Sequence, residues 1–307
     1  MTVMILKRFT LLIFILLGAV LVIHSLIYLI PGDPALMLAG EYANSEDIDN
    51  IRKELSLNDS FFVRYFAYIN KLIQLDLGKS IYTGIPVLNT IIDRFPATFM
   101  IAFISIFMAG FTGIVLGIIA AIYKDRFLDE LILSVSSIFI STPIFVTSFV
   151  LALVLSYYLN LLPPSGKQGL NPLYVILPSF ALASRSLALI VRVVRNDLTN
   201  VLSHDYIRTV RSLGFPESRV ILIFALKNII VSVLTIILLD FGAYLGGAVV
   251  VESVFSWPGI GRLLIVALHK RDIPVMQGVI LCGTFLFILI GILIDLIQGL
   301  VDNRIEW

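Results

Sequence analysis

Residues 97–123 read ATFMIAFISIFMAGFTGIVLGIIAAIY, with no charged side chain from end to end. A helix needs roughly 20 apolar residues to cross a bilayer, and this run exceeds that. Five other stretches invite the same reading. Phe9–Ile30, Leu131–Gly166 and Ile273–Ile294 carry no charge. Leu173–Val194 carries the interior charge Arg185, and Ile229–Val251 carries Asp240. Pro143 is expected to kink the helix in the third of the six. The expected fold is all-α: a polytopic membrane protein with six transmembrane helices.

Composition closes the other classes. Of 307 residues, 59% are hydrophobic and 14% are charged. A soluble domain carries about 25% charged residues; this chain has too few to coat a globule, which excludes an ordinary cytosolic enzyme. The apolar runs are continuous, which excludes disorder and coiled coils. The single cysteine, Cys282, excludes a disulfide framework and a cysteine-built metal site. His24, His204 and His269 lie far apart and form no ligand cluster. A net charge of +1 gives no field that would attract nucleic acid.

Lys7 and Arg8 precede the first span, as in a signal peptide. The span is too long for a signal core, and it ends at Ile30-Pro31-Gly32-Asp33-Pro34 without small residues for cleavage. A retained helix is expected. Lysines and arginines of short loops concentrate on the cytoplasmic side. An inside amino terminus places Lys7, Arg8, Lys124, Arg126, Arg304 and six basic residues of 192–228 inside. Only Lys167, Arg262, Lys270 and Arg271 then fall in the short outside loops. Both termini are therefore expected in the cytoplasm, and the membrane lipid is the first partner. The layout is an N-terminal span at 1–30, an extracytoplasmic helical loop at 31–96 and a core of five spans at 97–307.

In the first loop, Asn44 or Ser45 suits a helix cap, Glu46 and Asp47 suit its first turn, and Ile48, Ile51 and Leu55 share one face. Phe62, Tyr65, Phe66, Ile69 and Ile73 form a second helical pattern. Packing on the membrane surface is the plainer use of this pattern; a docking platform is the sharper one. The inside loop 197–228 reads as helix, break, helix. Gly214 suits a left-handed helix end, Pro216 the first position of the next helix and Glu217 its first turn. A solvated basic loop would obey the same charge rule, but the tight Gly-Phe-Pro break favours a shaped knob. In the last outside loop, Phe255 and Trp257 suit the membrane–water boundary. Pro258, Gly259 and Gly261 form a turn, and a short amphipathic helix is expected from Leu263. This loop is either a connector or a gate.

Several of these stretches resemble the permease subunits of bacterial ATP-binding-cassette importers, closest to the peptide and nickel family. The likeness rests on Asp205-Tyr206-Ile207-Arg208-Thr209-Val210-Arg211-Ser212-Leu213-Gly214 with Ala225-Leu226-Lys227-Asn228. It extends to Phe255-Ser256-Trp257-Pro258-Gly259-Ile260-Gly261-Arg262, Arg271-Asp272-Ile273-Pro274-Val275-Met276-Gln277-Gly278 and Asp302-Asn303-Arg304-Ile305. Near the start, Gly32-Asp33-Pro34-Ala35 and Leu75-Asp76-Leu77-Gly78-Lys79-Ser80 look like family features too. The resemblance implies the type I permease fold in a bacterial plasma membrane. It implies a second homologous permease, two cytoplasmic ATPases that bind ATP and Mg, and an extracytoplasmic substrate-binding protein. It also implies an ATPase-coupling loop carrying Asp205, Tyr206, Arg208, Thr209, Arg211, Gly214, Pro216, Glu217 and Arg219. The outer gate loop then carries Glu252, Phe255, Trp257, Pro258, Gly259 and Gly261. The implied cargo is a peptide, with nickel or a metal chelate as the alternative.

No G-x-x-x-x-G-K-[ST] stands in the chain, so no phosphate-binding loop of that type is expected here and no cofactor is assigned to it. Rival classes lack their signatures. A membrane metalloprotease needs His-Glu-x-x-His, and a serine one needs Gly-x-Ser with a membrane histidine that His24 does not match. A channel would show a filter or acidic ring, and a stand-alone secondary transporter an internal repeat or several intramembrane charges. Arg185 and Asp240 each lie roughly 16 Å from a span end at 1.5 Å per residue, near the midplane. They either pair across antiparallel helices or line a water-filled path separately. Ala109, Gly113, Gly117 and Ala121, and Gly242 with Gly246, form small-residue ridges for close helix packing.

Overall fold

The computed structural model describes residues 2–29, 44, 46, 49, 52, 59–166 and 171–301. The first helical pattern of the outside loop (Ile48, Ile51, Leu55), the Gly32–Ala35 motif and the Asp302–Ile305 ending lie outside the described residues. Eleven helices carry the description: α1 Thr2–Leu29, α2 Phe61–Ile73, α3 Val87–Ile122, α4 Phe127–Ser141, α5 Ile144–Leu151, α6 Leu173–Leu202, α7 Asp205–Ser212, α8 Glu217–Leu245, α9 Val249–Val254, α10 Ile260–Lys270 and α11 Ile273–Val301. No strand occurs among the described residues.

Helix α6 is the central element. It packs along α3, where the expected small-residue ridge does its work inside this chain. A Cβ on Gly113 would come within 2.9 Å of Ile190, and one on Gly117 within 2.6 Å of Val194. Side chains there would force the two helices apart. The second ridge serves α8 against α11. Gly242 faces Ile290, and Gly283 lies against the backbone of Gly246. Helix α1 packs on α11, and α2 leans on α1 through Tyr65, Tyr68, Ile69 and Leu72.

The spans differ from the expectation in their ends. Among the described residues four helices, α3, α6, α8 and α11, are long and apolar enough to cross a membrane, and α4 with α5 makes a fifth if the pair is one span. Helix α1 contributes the apolar segment Thr10–Ser25. The expected kink in the third span is a break of 109°. Pro143 removes an amide donor and pushes Thr142 into extended backbone, ψ 124°. The fourth span runs on to Leu202. The fifth stops at Leu245 rather than Val251, because Gly247 turns the chain at φ +117° and α9 starts anew at Val249.

Candidate functional site

The knob expected at 197–228 is built on α7. Ile207 is fully buried and joins Leu198, Val220, Ile221 and Ala225 in one core cluster, so α7 is bolted to α6 and α8. Asp205, Tyr206, Arg208, Thr209, Arg211 and Ser212 point outward around it. The expected break is present: Gly214 takes φ +80°, and nothing lies within 4 Å of where its Cβ would stand. Pro216 differs by one position from the expectation. Its backbone is extended, φ −64° and ψ 147°, so it caps α8 and Glu217 is the first helical residue.

Polar contacts fix the knob's shape. Arg211 grips Glu217 bidentately at 2.5 and 3.1 Å, across the Gly214 break. Asn228 donates to the Tyr206 hydroxyl at 2.7 Å and to the Phe224 carbonyl at 2.8 Å. Partial burial pushes the Tyr206 phenol up, and the Asn228 contact works against that. Phe215 stacks toward Phe224 at 5.4 Å with Arg219 over its ring at 5.8 Å. Leu213, 70% exposed, is the apolar tip of an otherwise polar projection.

The loop 251–262 is a packed latch. Phe255 and Trp257 are each 1% exposed, within a cluster containing Ala97, Val175, Leu177 and Ala181. Both face protein, and the indole N–H finds the Ala97 carbonyl at 2.8 Å. Glu252 is fully buried. It accepts from Thr98 Oγ1 at 2.7 Å and from the Arg262 amide at 2.8 Å. Thr98 Oγ1 in turn accepts from the Ile260 amide at 2.8 Å. A Cβ on Gly259 would overlap both the Glu252 carboxylate and the Thr98 hydroxyl, which explains that glycine. Pro258 completes the turn before α10, which starts at Ile260 rather than Leu263. Thus α3, α9 and α10 are tied at one buried carboxylate.

Two stretches quoted separately from the sequence meet at the same end. Ser80 donates to Asp272 at 2.5 Å, and the Ile81 amide adds a second bond at 3.2 Å. A Cβ on Gly78, φ +83°, would stand 3.7 Å from Pro274. At the other end, Arg195 of α6 forms a buried ion pair with Asp129 of α4 at 2.6 Å, and Arg192 donates to Ser137 at 2.6 Å. Sequence reading missed these partners, as it missed Thr98. Each contact joins positions far apart in the chain, which no local pattern reports.

Arg185 and Asp240 do not form a direct ion pair; Arg185 lies only within longer electrostatic reach of Asp240. Ser186 contacts the Tyr244 hydroxyl, which donates to the Leu182 carbonyl at 2.9 Å. Among the described residues no group of three or more His, Cys, Asp or Glu could hold a metal ion.

Comparison with known proteins gives this arrangement its context. Residues 113–307 match the model of the binding-protein-dependent transport system inner membrane component, and residues 1–102 match its N-terminal companion. The chain belongs to that family. The glutathione transport system permease protein GsiC of Escherichia coli (strain K12) is 36% identical over 281 residues, covering 92% of this chain and 91% of GsiC. A protein of Brucella abortus (strain 2308), provisionally named a peptide transport system permease, is 34% identical over 313 residues and all of both chains. An inward-facing crystal form of the MetNI methionine ABC transporter matches with a TM-score of 0.57 at 16% identity. The match covers 70% of this chain and 97% of that one, and it places the fold with type I ABC importer permeases. This family member is a multi-pass inner-membrane permease, a non-catalytic subunit. Hydrolysis of ATP belongs to partner ATPases, and cargo reaches the family's permeases from a binding protein.

Proposed function

We propose that this chain is one of two homologous permeases forming the pore of an ATP-driven peptide importer, with both termini in the cytoplasm. Residues 1–30 supply the first span, 31–96 the extracytoplasmic loop and 97–307 the pore-forming core. The loop 197–228 docks the knob onto one of two ATPases through Arg208, Arg211, Arg219 and the Leu213 tip. Closure of the ATPases moves the knob, and α6 and α8 carry that movement toward the Glu252 latch. The cargo reading rests on one observation: relatives at 36% and 34% identity over nearly the whole chain are named for glutathione and peptide transport. Glutathione is itself a short peptide.

The test is reconstitution of the complete importer with its binding protein. ATP hydrolysis and uptake are measured with di- to pentapeptides, with glutathione and with a nickel salt. Stimulation by peptide-loaded binding protein is the expected result. Stimulation by nickel alone overturns the peptide cargo, and transport by the lone chain overturns the importer assembly.

A further inference from the structure

The open face of α6 differs in chemistry from the open face of α3. On α3 the exposed side chains include Phe99, Phe103, Phe107, Phe111 and Val115, an apolar stripe suited to lipid or to another apolar helix. On α6, beyond the exposed Leu173 and Ile176 at its first end, the exposed positions are Arg185, Leu189, Asn196 and Asn200, spaced to lie along one side of the helix. Arg185 stands about 18 Å from the Leu173 end of this helix, at mid-membrane depth. Within the described residues it has no hydrogen-bond or ion-pair partner in the chain. A guanidinium cannot shed its proton. At that depth it must face protein or a water-filled cavity, because lipid would make it costly. Behind it, Ser186 meets the Tyr244 hydroxyl, which donates to the Leu182 carbonyl at 2.9 Å, at the α6–α8 contact.

We propose that Arg185 is a cargo-binding residue of the translocation pathway, taking the carboxylate of a peptide in transit. This rests on the peptide reading above. A pathway site has to bind strongly enough to admit its cargo and weakly enough to let it go. One exposed guanidinium on the open face supplies a single charge-assisted contact to a carboxylate, and its positive charge repels a bare metal cation.

The experiment uses the complete importer in proteoliposomes with peptide-loaded binding protein. Arg185→Gln is expected to lower maximal peptide uptake about tenfold, the size of one charge-assisted hydrogen bond lost. Arg185→Lys is expected to recover part of it. In a Cys282→Ser background, Arg185→Cys should react with an anionic methanethiosulfonate, and peptide delivery should slow that reaction. Should Arg185→Cys fail to assemble, Leu189→Cys, one turn along the same open face, carries the same measurement. A thiol at these positions that is inert, or whose labelling ignores peptide, overturns the site while wild-type uptake stands. Wild-type importer that takes up no peptide overturns the peptide reading itself, a distinguishable failure.

Discussion

Gly214 holds a backbone angle that other residues reach only under strain, and the space around its Cβ is empty. Gly214→Ala therefore adds conformational strain without a clash, about 1–2 kcal/mol. That strain is relieved if the turn between α7 and α8 reshapes, which moves Leu213 and Arg211. Cargo-stimulated ATP hydrolysis of the assembled importer is expected to fall severalfold, with membrane insertion unchanged. Gly214→Asn is expected to keep more of the activity, since asparagine visits this region more readily. Wild-type stimulation in Gly214→Ala would remove the knob from the coupling path. Glu252 raises the matching question at the other end. Its carboxylate accepts from a hydroxyl and from backbone amides in a fully buried place. Removing it orphans those donors, at about 1–3 kcal/mol each. Glu252→Leu should lower the thermal midpoint in detergent well below that of Glu252→Gln. A cycle with Thr98→Val should show coupling of at least about 0.5 kcal/mol; additive losses would mean that the two do not act together.

The helices show which parts of this fold could be read from the sequence. Apolar length announced α3 and α11, which carry no charge across the span, and α6 and α8, each interrupted by one interior charge, Arg185 or Asp240. The glycine ridges on α3 and α8 were readable for a similar reason: only tight contact explains small residues every fourth position, and Gly117 does meet Val194. The Gly214 break was readable from turn chemistry alone. The breaks inside apolar runs were not. Pro143 marks a place where a helix can bend, but the 109° angle depends on what α4 and α5 pack against. The Gly246–Gly247 turn hides in a run whose composition never changes. Burial of Trp257 depended on an acceptor 160 positions away, which no local pattern reports. The ion pair between Arg195 and Asp129 belongs to the same class. It clamps α4 to α6 near the knob, with both groups largely buried. Removing one partner leaves a buried charge, at about 3–5 kcal/mol, whereas removing both costs less. Arg195→Met and Asp129→Leu are each expected to lower detergent stability more than the double substitution. Equal losses in all three would deny the clamp.

Over the whole molecule, one helix links the two ends that matter. Helix α6 has 30 residues, about 45 Å at 1.5 Å each. Leu177 and Ala181, near its first end, pack in the cluster of Phe255 and Trp257; Leu198, near its last, packs on Ile207 of α7. Under the proposed coupling, a displacement of the knob would be delivered to the latch by rigid-body movement of this helix, because packed cores resist gradual deformation. This geometry demands that knob and latch open onto opposite sides of the membrane. With both termini inside, Ser256 faces the exterior and Leu213 the cytoplasm. In a Cys282→Ser background, Ser256→Cys in intact cells is expected to react with an impermeant thiol reagent, and Leu213→Cys only after the membrane is inverted or opened. The complete importer should then shield Leu213→Cys, because the ATPase covers the tip, while Ser256→Cys stays reactive until the binding protein docks. Labelling of both positions from one side would break the transmission path along α6. Labelling with the sides exchanged would keep the path and reverse the orientation, placing the knob where no cytoplasmic ATPase could reach it.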